Sequence, residues 1–232
     1  PHTAPPPYVD LTPRRLSTLD GAGDTRLPTP KPAASISEVR ALAAALCCCG
    51  GVHAVQAVDV RLGEEAIIAF AEVLRFSDAL GALRLNHVTS NSNAARSAMS
   101  TLVDMLPNAR APLQTLDLAH NAHLEEAAIL RLISALKGLP RALSALQLDG
   151  CGFSGRAAEA LGAVLSEGTW PGSLHLLTLA HNSIGREEGS VALAAALRCS
   201  TALTTLDVTH TGMDMPTLLE ALLSNEALLR GL

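Results

Sequence analysis

"LQTLDLAHN", residues 113–121, puts leucine at its first, fourth and sixth positions and closes on Ala-His-Asn. Apolar side chains two apart at the fourth and sixth positions are the mark of a short strand with one buried face. The same spacing returns as "LGALRL" from Leu80, "LSALQL" from Leu143, "LHLLTL" from Leu174 and "LTTLDV" from Leu203. A sixth frame, "VQAVDV", is read from Val55 with valine in place of leucine. Successive starts lie 25, 33, 30, 31 and 29 residues apart, a period that points to stacked units.

Between the hexads the period changes. "EEAAILRLISAL" (125–136), "GRAAEALGAVL" (155–165) and "GSVALAAAL" (189–197) space their apolar residues three and four apart, which predicts amphipathic helices. Pro107, Pro112, Pro140 and Pro171 fall after the helices and before the strands, where no backbone donor is needed. Each unit therefore reads as strand, turn, helix and return loop.

This pattern resembles the leucine-rich repeat, in the long helical subtype typified by ribonuclease inhibitor. "LQTLDLAHNAHL" (113–124), "LSALQLDGCGF" (143–153) and "LHLLTLAHNSI" (174–184) carry the resemblance, which covers about residues 36 to 232. It implies an α/β solenoid, a curved horseshoe with a parallel concave β-sheet and convex α-helices. About six to seven repeats would fill a domain spanning 35–232. For function the resemblance is nearly silent, because one fold serves inhibitors, GTPase activators and cytoskeletal caps alike.

Residues 1–34 hold eight of the thirteen prolines and few apolar side chains, so an extended or disordered segment is expected. "YVDL" (8–11) is the exception: it echoes "AVDV" (57–60) and "TLDV" (205–208), and would add a strand at the N-terminal edge. Ser35 and Glu38 have capping-box spacing, which predicts a helix start there, with Val39, Leu42 and Leu46 as its buried stripe. Leu229 to Leu232 sits where a further hexad would begin; together with the opening Pro1 this suggests an excerpt of a longer chain.

Composition narrows the classes. Among 232 residues only five are aromatic, so leucine, alanine, valine and isoleucine must fill the core as thin layers. A net charge of −5 with lysine only at 31 and 137 argues against nucleic acid as a partner. No apolar run reaches the roughly 18 residues of a membrane span. Five cysteines, three of them consecutive at 47–49, do not form a disulfide framework, which suggests a reducing, cytoplasmic setting, with cytoskeletal association as one option.

Candidate chemistry is sparse. His87, His120, His181 and His210 share the eighth place of their frames, and neighbouring strands would bring imidazoles about 4.8 Å apart. Gly150 interrupts that row, and the reading is scaffold, with no metal and no cofactor expected. In the ninth place stand Asn121, Cys151, Asn182 and Thr211, which the resemblance makes inward-turned side chains bonding loop backbone. Val88 breaks that series, so "NHVTSNSNAARS" (86–97) is expected to be irregular. Ser154 is better placed as a helix N-cap than as a nucleophile, and Glu125 and Glu126 suit a helix macrodipole. No catalytic residues and no small-molecule substrate are therefore expected.

The third, fifth and seventh places of each frame face away from the leucines. They carry Asp59, Arg61, Arg84, Asn86, Thr115, Asp117, Gln147, Asp149, Thr178, Thr205 and Asp207. Small and polar with an acidic balance, this concave face favours a protein partner, and a basic one. The expectation is a non-catalytic interaction scaffold that binds through its concave face, edges or N-terminal tail. The alternatives are a Ran-directed type of GTPase activator or a cytoskeletal or axonemal component.

Overall fold

A computed structural model describes residues 8–11, 36–48, 51–89, 92–122, 124–137, 139, 143–166, 174–186, 188–200 and 202–225. Strand and helix alternate through them. The order is β1 (Tyr8–Asp10), α1 (Ile36–Cys48), β2 (Ala54–Val58), α2 (Glu64–Phe76), β3 (Ala82–Asn86), α3 (Asn93–Met105) and β4 (Thr115–Asp117). There follow α4 (Glu126–Leu136), β5 (Ala145–Gln147), α5 (Gly155–Ser166), β6 (Leu176–Thr178), α6 (Glu188–Cys199), β7 (Thr205–Asp207) and α7 (Met215–Leu223). The fold is α/β, and the described residues form one open, all-parallel, seven-stranded sheet whose spatial order equals its order in the chain.

Five of the hexads stand in the register their leucines demand. Ala82, Thr115, Ala145, Leu176 and Thr205 are consecutive partners across β3 to β7, each the third residue of its frame. Beside them the fourth-place Leu83, Leu116, Leu146 and Leu177 are fully buried. Together with Phe70, Met99, Leu102, Leu132, Phe153 and Leu161 they form one continuous core between sheet and helices. Each such side chain contributes about 1.5–3 kcal/mol on burial.

The Val55 frame is corrected. Val55 pairs with Leu83 and Ala54 with Ala82, so this hexad begins at Val52 and its sixth place is the buried Ala57. An alanine where the other frames carry a large apolar side chain made the valines at 55, 58 and 60 look like a hexad shifted by three. "YVDL" does join the sheet, with Tyr8 beside Ala54 and Val9 beside Val55. It therefore aligns with "AVQA" (54–57) and not with "AVDV", and it carries the sheet across the boundary expected at residue 34.

The helices begin where their first turns can be satisfied. Ser92 accepts from Ala95 N at 3.1 Å, Asp214 from Thr217 N at 3.2 Å, and Ser154 from Ala157 N at 3.3 Å. Ser35, of the capping box expected before α1, lies outside the described residues, as do Ser90 and Asn91 of the irregular turn; Leu46 of the α1 stripe is buried. Between α5 and α6 the backbones approach through glycine. A Cβ at Gly162 would meet Ala192 O at 2.6 Å, and one at Gly189 would meet Gly155 Cα at 2.8 Å. Among the described residues no helix is long and apolar enough to cross a membrane.

Candidate functional site

With the helices packed on one side, the other face of the sheet, the open face, carries no further element among the described residues. β2 and β3 alternate half-buried or exposed with buried residues, so that Ala54, Gln56, Val58, Ala82, Arg84 and Asn86 share that open face. Thr115, Gln147, Thr178 and Thr205 continue it across β4 to β7, half-buried or exposed. The structure thus brings most of the predicted partner-binding residues onto one surface. Gln56, missed because of the shifted frame, belongs there and accepts from Arg84 Nη1 at 3.4 Å.

Asp59 and Arg61 do not belong to it. In the corrected frame Asp59 is an eighth-place residue past the end of β2, and Arg61 is exposed two residues further into the loop. Asp59 stands at φ 53°, beside His87 at 51° just past the end of β3, and its Oδ1 meets His87 Nδ1 at 2.8 Å. The shared left-handed backbone explains the residue types at this place. His120, His181 and His210 also have φ between 55° and 59°, and Gly150 has 57°. Asp and His tolerate this conformation better than bulkier side chains do, though each non-glycine residue costs about 1–2 kcal/mol there.

The imidazoles are set for stacking more than for chelation. His181 and His210 lie with ring centroids 4.6 Å apart and planes 17° from parallel. Parallel rings aim their nitrogen lone pairs side by side, whereas a tetrahedral ion needs them to converge at about 2.0–2.1 Å. Among the described residues no group of three or more His, Cys, Asp or Glu side chains is arranged to hold a metal ion.

Three carboxylates on the open face are committed to their own backbone. Asp117 is buried, and its Oδ1 accepts from Ala119 N at 2.9 Å. Burial pushes its carboxyl above the ordinary range, against the pull of the Ala119 amide, Asn86 and Arg84; the neighbouring Asp149 pushes the same way as burial. Asp149 reaches across to β6, accepting from Thr178 Oγ1 at 2.6 Å and Ala180 N at 2.7 Å. Asp207 accepts from Thr209 N at 2.9 Å. The Thr209 amide and hydroxyl, aided by His181 and His210, hold it below the ordinary range.

The ninth-place residues form a second, internal series. Asn121 is fully buried; its Oδ1 accepts from Val88 N at 3.0 Å and Thr89 N at 3.1 Å, and its Nδ2 donates to Leu85 O at 2.7 Å and Leu118 O at 2.8 Å. Asn182 repeats the arrangement with Cys151 N, Phe153 N, Leu148 O and Leu179 O, at 2.8 to 3.0 Å. Cys151 Sγ donates to Leu118 O at 3.0 Å, and Thr211 Oγ1 to Val208 O at 2.6 Å. Burial pushes the Cys151 thiol up to about 12, so it stays protonated and unreactive at neutral pH. Val60 and Val88 occupy the corresponding places after β2 and β3 as buried apolar residues. The Val88 turn is still satisfied, because Asn121 on the following turn bonds its amide.

Two open grooves of about 340 Å³ lie on the helix side, one between α1 and α2 around Cys47, Ile68 and Phe76, the other between α3 and α4 around Pro107 and Arg131. Arg131 partly closes the second by bonding Asp104 Oδ1 at 2.8 Å. Cys47, Glu65, Glu72 and Arg40 line the first groove, and Asp104, Arg131 and Ser134 the second. Ser154, set aside above as an N-cap, bonds Glu126 and Ala157 N. Searched against known proteins, the chain matches no protein-family model and no curated protein.

Proposed function

We propose that this chain is a leucine-rich-repeat solenoid of the ribonuclease-inhibitor-like subtype, acting as a non-catalytic scaffold that binds a partner protein on its concave sheet face. The single observation behind this reading is the sheet face that carries no further element among the described residues. Across adjacent parallel strands it offers Gln56, Arg84, Asn86, Thr115, Gln147 and Thr178, half-buried or exposed and polar, with alanines between them. Small side chains leave room for a protruding loop or helix, and polar heads give it directional bonds.

The acidic residues play a different part from the uncharged ones. Asp117, Asp149 and Asp207 keep the negative charge that steers a basic partner at long range. Their short bonds to backbone leave Arg84, Gln56, Gln147 and Thr178 to make direct contact. The test compares partners captured from native lysate by the wild type and by Gln147→Arg, which places a long cation in the middle of the face. Loss of a captured partner by the variant supports the proposal. Identical capture by both proteins rejects it.

A further inference from the structure

Arg84 stands exposed at the middle of β3 on the open face, and we propose that it anchors a carboxylate of the partner: an Asp or Glu side chain held by the guanidinium and the Gln56 amide. The inference rests on the reading of that face as a partner-binding surface and names the chemistry of one contact on it. Arg84 is the only Lys or Arg within β1 to β7. On the helix side four arginines are matched with acids: Arg40 with Glu65, Arg110 with Asp78, Arg131 with Asp104 and Arg198 with Glu220, at 2.8 to 3.8 Å. Arg84 has no such ion pair among the described residues, although Asp117 lies directly in register with it on β4.

The two register neighbours explain why this cation is available. Asp117 is buried, and its Oδ1 is taken by the Ala119 amide at 2.9 Å. On the other side Gln56 is in register on β2 and meets Arg84 Nη1 at 3.4 Å through its Oε1. A guanidinium only donates, so Gln56 must turn its oxygen toward it and keeps the Nε2 hydrogens for another acceptor. The remaining guanidinium N–H groups and that amide nitrogen therefore offer donors. Two carboxylate oxygens match a guanidinium fork in shape and charge. Ala54 and Ala82, two residues earlier on the same face, are short and leave room for the approach.

The flanking acids make the contact selective. Asp10 aligns with Gln56, so Asp10, Gln56, Arg84 and Asp117 form one row across four strands. With strands about 4.8 Å apart, a carboxylate stands one strand from Arg84 on one side and two strands from it on the other. These charges repel an acid placed anywhere else in the row and confine it to Arg84. They also disfavour a phosphate ester, which carries about −1.5 to −2 where a carboxylate carries one negative charge. A partner drawn in by the acidic face is thus mainly basic but seats one acid at β3. A uniformly basic segment would meet repulsion there.

The test selects binders of the whole chain from displayed random peptides of about twelve residues, at about 0.15 M salt. Peptides that photo-crosslink from a probe at Gln147→Cys and not from Glu159→Cys report the open face. Each of these should carry an Asp or Glu whose change to Asn or Gln weakens binding about tenfold or more. Arg84→Gln should weaken it as much, and the two changes together should cost little more than either alone. Arg84→Glu should lose the parent peptide but bind the version with Lys in place of its acid. Because Arg84 is exposed, the variants should keep the wild-type melting temperature, and the charge swap separates contact from damage to the fold. Open-face peptides indifferent to their acids, or a swap that restores nothing, would overturn the inference and leave the open-face reading standing. A selection that yields no open-face peptide would reject both.

Discussion

The two faces of this sheet are made from the same strands and obey opposite rules. On the helix side Leu83, Leu116, Leu146 and Leu177 repeat one side chain, and each is fully buried. On the open side the neighbouring places change from Arg84 to Asp117, Gln147, Thr178 and Asp207, and their burial ranges from exposed to buried. One face is constrained by packing, since a removed methylene leaves a void that the surroundings fill only partly. The other tolerates variety because water can complete what a side chain lacks. The comparison teaches where to look for function: among residues whose identity the fold does not require.

The open face is not uniformly free, however. Asp117, Asp149 and Asp207 lie on it yet bond backbone amides, so part of it belongs to the scaffold. Substitutions can break or sharpen this division. The largest loss is expected from Leu146→Ala, a cavity under the helices costing about 2–5 kcal/mol by chemical denaturation. Asn182→Ala comes next at roughly 2–4 kcal/mol, because it strips partners from Cys151 N, Phe153 N, Leu148 O and Leu179 O. A buried polar residue that rivals a core leucine would show that turn bonds matter as much as apolar burial. Gly162→Val should cost about 1–3 kcal/mol, since its side chain meets backbone of α6 and the helices must part.

Asp117→Asn tests the boundary between the faces. A carboxyl raised by burial favours the fold most while protonated, and that contribution is lost as pH rises through its folded-state value. The variant should therefore gain on the wild type as pH goes from about 3 to about 6. Denaturation curves at the two ends of that range would show it; a gap that opens toward acid would mean the carboxylate is stabilised by its neighbours. The smallest effect is expected from Gln147→Arg, within about 0.5 kcal/mol of wild type.

The covered face was readable because leucine at fixed spacing is a repeated signal, and five frames fell into register. The sixth failed for a local reason: Ala57 fills a core place, and valines at 52, 55, 58 and 60 support either frame. Asn121 and Asn182 stood out by recurring, although the bonds they make needed the neighbouring turns to be seen. The commitment of Asp117 and Asp149 was hidden, since a carboxylate on a strand looks the same whether or not an amide two residues on, or on the next strand, points at it. The seam through Gly162 and Gly189 was equally hidden. Gly155 and Gly162 are seven apart and share a helix face, a usable hint, but only helix rotation shows that α6 lies against it.

The division of faces is tested most directly by site-specific photo-crosslinking in native lysate, with the probe carried at Gln147→Cys on the open face or at Glu159→Cys on the exposed surface of α5. The account predicts discrete crosslinked partner bands from position 147 and none of them from position 159, in proteins of equal melting temperature. The same bands from position 159, with position 147 silent, would place binding on the helix side and contradict it.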